Sequence, residues 1–164
     1  MGMVRNCKEI GENLQLIIKR LMANDNLIKY LYYSDPDPLS GAILTDEQKK
    51  KEIYEKLIRI TPRIGADETA KSIVAVRAIN GINLDDNPEF RTVTISIEVI
   101  TPLSQWIIKS TNLRPFAIMG EIQESLNKKT INGLGKMIGG DFELSFLTEE
   151  VSCYEMKFAI VTYD

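Results

Sequence analysis

From Phe90 to Pro102 the chain reads Phe-Arg-Thr-Val-Thr-Ile-Ser-Ile-Glu-Val-Ile-Thr-Pro. Val93, Ile95, Ile97 and Val99 alternate with Thr92, Thr94, Ser96 and Glu98, the period of a strand with one face in a core and one face polar. It is expected to be the central strand of an antiparallel sheet, because the segments on both sides can pair with it and a helix-like segment follows to cover its apolar face. No residue in it points to chemistry.

The flanks of this strand predict its neighbours. Lys71 to Ile79 is apolar on both faces in its middle and reads as a buried strand. Asn80 to Glu89 reads as a longer loop joining the two strands, an exposed hairpin arm carrying Asp85, Asp86 and Glu89 beside Ile82 and Leu84. The acidic spacing does not fit a calcium loop, which needs a glycine at its sixth position and a glutamate at its twelfth. After Pro102 comes the single tryptophan, Trp106, read as a core anchor or, in an oligomer, an interface residue. Arg114-Pro115 opens a helix with Phe116, Ile118, Met119, Ile122 and Leu126 on the face laid across the sheet. Phe142, Leu144 and Phe146 alternate with Glu143 and Ser145. A turn at Thr148 to Glu150 then leads into Val151 to Tyr163, with Tyr154, Met156, Phe158 and Ile160 on one face. These two segments are expected to form a closing hairpin.

The first third reads as helical. From Val4 to about Asn24, Ile10, Leu14, Ile17, Ile18 and Leu21 fall at helical spacing, with Glu12, Asn13, Lys19 and Arg20 facing away. Asp25 is placed as the cap of a second helix, Asn26 to Tyr33, in which Leu27, Tyr30 and Leu31 share a face. Ser34 to Gly41 is a breaker run with two prolines. Thr45-Asp-Glu-Gln has the form of a capping box opening a third helix through about Leu57, on which Lys49 to Lys51 is a solvated face. Ile58 to Ile64, with Pro62, reads as a short edge strand. The predicted fold class is α+β: an antiparallel sheet with a long hairpin, covered on one face by helices, in one domain over residues 1–164.

Several function classes lose support on composition. The net charge of −3 and the pI near 5.2 give no basic face for nucleic acid. Residues up to Ala66 carry 11 Lys and Arg against 9 Asp and Glu, and those after it 9 against 14, so the sheet-forming part is the acidic part. There is no histidine, which removes the commonest general base and the commonest zinc ligand. Cys7 and Cys153 read as two reduced structural thiols. Gly133-Leu-Gly-Lys136, followed by Met137, lacks the spacing of a phosphate-binding loop. No catalytic residue, cofactor or metal is expected, and an enzyme is the least supported class. The first ten residues lack a secretory pattern, and Asn6 stands where myristoylation needs Ser or Thr. With no stretch approaching about 20 apolar residues, no membrane association is expected, and the chain is predicted to be made and kept in a cytoplasm.

The order of these elements resembles the tail terminator family of long-tailed bacteriophages, also called tail completion or tail-to-head joining proteins. The resemblance is carried by the N-terminal helix, the Ile58 to Ile64 segment, the strand Phe90 to Thr101, the helix Pro115 to Lys128 and the final hairpin Phe142 to Tyr163. It covers Val4 to Tyr33 and Ile58 to Asp164; Ser34 to Leu57 departs from it as a loop and helix insertion. It implies a structural virion protein: a homo-oligomeric ring, usually six-fold, that caps the tail tube, ends its polymerisation and meets the head-neck connector. Viral DNA would pass through its lumen without specific binding. Its implied location is the virion tail or neck, and the host cytoplasm during assembly. Under this resemblance Ile82, Leu84, Asp85, Asp86, Glu89 and Trp106 are the expected contacts to a neighbouring subunit or the tube, and the three acidic residues could instead line the lumen. Another neck or tail-tube component, or a cytoplasmic non-enzymatic protein-binding module, are the competing readings.

Overall fold

The strand predicted from Phe90 to Pro102 lies in the middle of the sheet. In a computed structural model that describes residues 7–60, 71–84, 87–109, 111–131 and 135–161, β3 (Asn87–Pro102) is flanked by β2 (Ile73–Leu84) and β6 (Val151–Val161), both antiparallel to it. β5 (Gly135–Leu147) pairs antiparallel with β6. Two-residue strands complete the sheet, β1 (Ile58–Arg59) beside β2 and β4 (Thr130–Ile131) beside β5. The strand order is β1-β2-β3-β6-β5-β4. The sheet is antiparallel except at β1, which runs parallel to β2.

Among the described residues four α-helices, α1 (Cys7–Met22), α2 (Asp25–Tyr32), α3 (Asp46–Glu52) and α4 (Arg114–Leu126), make this an α+β fold. α1 packs against β2 and α4 against β3, with α2 seated on α4. Cross-strand partners point to the same face of a sheet, so the registers define what the helices cover. One row runs Val76, Ile97, Met156, Phe142, and the next Val74, Val99, Tyr154, Leu144. On the opposite face Arg77, Ser96, Lys157 and Asp141 form one row and Ala75, Glu98, Glu155 and Glu143 another. The predicted β3 pattern holds: Val93, Ile95, Ile97 and Val99 are all buried.

Several local expectations shift. The cap of α2 is Asn24, whose Oδ1 accepts from the Leu27 amide at 3.0 Å, and Asp25 is already the first helical residue. Asn13, expected on the outer face of α1, is buried. The Thr45–Gln48 capping box is present in both directions, but α3 stops at Glu52, short of Leu57, and the chain turns through Glu55 at positive φ. β1 is two residues long, with Pro62 and Ile64 outside the described residues. The expected loop from Asn80 to Glu89 is mostly ladder. β2 runs on to Leu84 and β3 starts at Asn87, so the arm is a paired hairpin with irregularities at Ala78/Asn80 and Asn83/Leu84. Beyond Ala78, Ile79 and Ile82 are exposed, which overturns Ile79 as a buried residue and makes the hairpin end project from the core.

One buried cation ties the helical layer together. Arg114, fully buried at the start of α4, donates from Nη1 to the carbonyls of Tyr30 and Tyr33, from Nη2 to Asp35 and from Nε to Gln105. Carbonyls at a helix C-terminus lack intrahelical donors and carry partial negative charge, so α2 ends on a complementary group. Burial pushes the guanidinium pKa down, while Asp35 and Tyr30 oppose that shift. The segment 34–57 is bound into the body in the same way, since Leu44, Ile53 and Leu57 belong to the hydrophobic core.

Candidate subunit interface

Burial falls away along each helix-side row of the sheet. Val74 and Val99 are buried and Tyr154 half-buried, whereas Leu144, next in the row, is 51% exposed. Phe142 is 52% exposed beside buried Met156. The helical layer reaches the first part of β5, where Met137 is buried, but does not extend fully over Phe142 and Leu144; past the register shift between Leu144 and Phe146, Phe146 lies opposite Cys153 on the other face and is exposed there. Phe146 and Leu147 are 41% and 59% exposed. The closing hairpin thus forms as expected, but its first strand is an apolar rim. Contiguous exposed apolar side chains of this kind mark interaction surfaces.

Part of that strand's outer edge is unpaired among the described residues. β4 and the turn after α4 occupy its start: the Lys128 amide donates to the Met137 carbonyl, and the Met137 amide donates to the Lys129 carbonyl. Asn127 Oδ1 then accepts from the Gly139 amide, and Gln123 Nε2 donates to the Gly140 carbonyl, both at 3.3 Å. From Asp141 to Leu147 no described strand pairs with the outer edge. Gly139 and Gly140 both have positive φ, and the register shifts between Gly139 and Asp141. A Cβ on Gly139 would stand 2.4 Å from the Lys157 carbonyl oxygen, so this bulge needs glycine.

An aromatic group backs the rim. Phe116 of α4 lies edge-on to Phe142 at 6.0 Å between ring centroids and against Tyr154 at 5.2 Å. Trp106 stacks towards Tyr154 at 6.4 Å and donates from Nε1 to Ser152 Oγ at 3.1 Å. It is therefore a half-buried residue at the border of the rim, with the exposed Ile107 next to it, and not a core anchor. On the helix-free face Lys157 Nζ sits 3.5 Å from Glu143 and 3.6 Å from Glu155, and Arg77 pairs with Glu98.

A family model, YomW, matches residues 24–160. The chain belongs to the YomW family. That family is phage-derived, and the chain is a phage-associated protein. No curated protein matches it.

For this YomW-family chain the expected contact residues fall in two places. Ile82 is exposed on the arm, Leu84 ends β2 and Glu89 lies in β3, while Asp85 and Asp86 are outside the described residues. Trp106 lies towards the other edge of the sheet, near β5. The structure does not bring these into one site. The rim residues Phe142, Leu144, Phe146 and Leu147 were missed, because alternation shows that a strand has an apolar face but not whether the helix layer extends over it. Among the described residues no group of three or more acidic, Cys or His side chains could hold a metal, and no helix is long and apolar enough to cross a membrane.

Proposed function

We propose that this protein is a non-enzymatic structural component of a phage virion that assembles as a ring, capping the tail tube and joining it to the head-neck connector. The observation that carries this reading is a pair of unlike surfaces on opposite sides of one sheet, among the described residues. An apolar edge at β5 lies on one side and the protruding β2–β3 arm on the other. Open edges are liabilities in a free chain and become interfaces when strands pair between subunits. Two different surfaces on opposite sides favour a head-to-tail contact, and such contacts close into rings when the rotation permits. The phage-derived family fits a virion role.

Native mass measurement of the purified chain, alone and with tail tube protein, tests the reading. Closed rings of one stoichiometry, most simply six, are expected, together with tubes that stop growing when the protein is added. A strict monomer in both samples would refute it, and open-ended filaments would instead fit a tube subunit.

A further inference from the structure

We infer that, outside the ring, two copies of this chain cap each other by pairing β5 with β5 antiparallel, about a two-fold axis between Leu144 and Ser145. This goes beyond the ring reading and does not rest on it: an open apolar edge is a liability in the free chain whether or not a ring later covers it.

Every residue from Asp141 to Glu150 is exposed, and among the described residues no strand pairs with the outer edge of Asp141 to Leu147. The pairing with β6 fixes the direction of each side chain. Phe142, Leu144 and Leu147 lie opposite Met156, Tyr154 and Ser152 on the helix side, whereas Asp141, Glu143 and Phe146 lie opposite Lys157, Glu155 and Cys153 on the reverse. Ser145 is the extra residue at the register shift.

Facing residues of a ladder share a face, which selects one self-pairing. Phe142 against Leu147, Glu143 against Phe146 and Leu144 against Ser145 keep the faces matched over the free stretch. One step in either direction sets helix-side residues against reverse-side ones. A shorter pairing centred on Glu143 would put two carboxylates directly opposite each other, which is destabilising. In the matched register the apolar side chains of Phe142 and Leu147 cover each other at both ends of the seam, with Leu144 beside the axis.

Charge supports the same arrangement. Asp141 falls opposite Thr148, so no carboxylate directly faces another. Past Thr148, Glu149 and Glu150 run towards the turn after α4 of the other copy, where Asn127 and Gln123 hold the outer edge at Gly139 and Gly140. Lys128 and Lys129, the next residues of that turn, are exposed. The acidic end of each copy therefore reaches the basic start of the other, and two-fold symmetry makes the contact twice. Where a ring is to form at this edge the pair must first part, so capping also delays assembly until another partner competes for β5.

Cross-linking in full-length chains tests the pairing. In a Cys7→Ser background, Leu144→Cys chains treated with a short bis-maleimide are expected to link to one another and to stop at the dimer; Cys153 is buried and stays silent. Asp141→Cys and Thr148→Cys chains are expected to link when mixed and not when alone, because each residue lies roughly 20 Å from its own mate along the ladder. Glu149→Lys with Glu150→Lys should weaken the dimer about tenfold in sedimentation equilibrium, and adding Lys128→Glu with Lys129→Glu to the same chain should restore it. Rings in which Leu144→Cys chains never self-link, with no dimer at lower concentration, would overturn the inference and leave the ring reading standing. Dimers that persist unchanged with tail tube protein would support the inference and remove the ring reading, and monomers at every concentration would remove both.

Discussion

Arg114 Nη1 donates to the carbonyl oxygen of Tyr30 at 2.7 Å, across 84 positions of sequence, inside the helical layer. The same guanidinium satisfies Tyr33, Asp35 and Gln105, so α2, the proline-rich loop and the turn before α4 share one donor group. Arg114→Ala leaves these buried acceptors unpaired and is expected to cost on the order of 3–5 kcal/mol. Arg114→Lys keeps the charge but lacks the planar fork and should recover only part of that. Urea unfolding at an unchanged slope is the measurement; a loss under about 1 kcal/mol for Arg114→Ala would contradict this role.

Gly139 meets the Lys157 carbonyl so closely that an added Cβ has no room, and its φ of 143° disfavours any side chain. Gly139→Ala is expected to destabilise by about 1–3 kcal/mol. Gly140→Ala meets only the flexible Gln123 side chain, at 3.1 Å, and should cost less than Gly139→Ala despite its own positive φ. Thermal melting of the two variants side by side decides the order.

Cys153 is buried, and burial first, then the Glu98 carboxylate, pushes its thiol from 9.0 up to about 12. The unfolded thiol ionises near its ordinary value while the folded one stays protonated. The stability this represents is complete below about pH 9 and is lost as pH rises towards 12. Cys153→Ala should therefore flatten the alkaline fall in stability, by up to about 1.4 kcal/mol per pH unit over that window. At pH 8 in the native protein, thiol titration is expected to find Cys7, which is exposed, and not Cys153.

Leu144 and Phe146 are exposed in the single chain. Leu144→Lys combined with Phe146→Lys should change the stability of the isolated chain by no more than about 0.5 kcal/mol for each site. Under the proposed ring assembly, the same double variant is expected to shift native mass to the monomer, because a charged edge resists strand addition. Unaltered assembly would place the interface elsewhere.

What could be read in advance follows the range of the forces involved. The β3 alternation, the helical faces of α1, α2 and α4, the Thr45 capping box and the closing hairpin are periodic or local signals, and each appears at its expected place. The Asn80 to Glu89 stretch was misjudged because Asn-Gly favours turns locally, whereas here pairing with β3 carries the ladder through both residues. Trp106, read from sequence as a core anchor or an interface residue, is half-buried, and its Nε1 reaches Ser152 at the margin of the sheet.

By itself, then, the amino-acid order determined that this chain makes an antiparallel sheet with helices on one face, since backbone periodicity and side-chain polarity repeat along the chain. Which strand would be left uncovered was decided only in three dimensions. Nothing in the alternation of Phe142 and Leu144 differs in pattern from β6; they are exposed because the helical layer, which reaches β5 around Met137 and Gly140, does not extend fully over them. The same tertiary packing sent Arg114 inward to carbonyls that lie far from it in sequence, a partnership that no local pattern encodes.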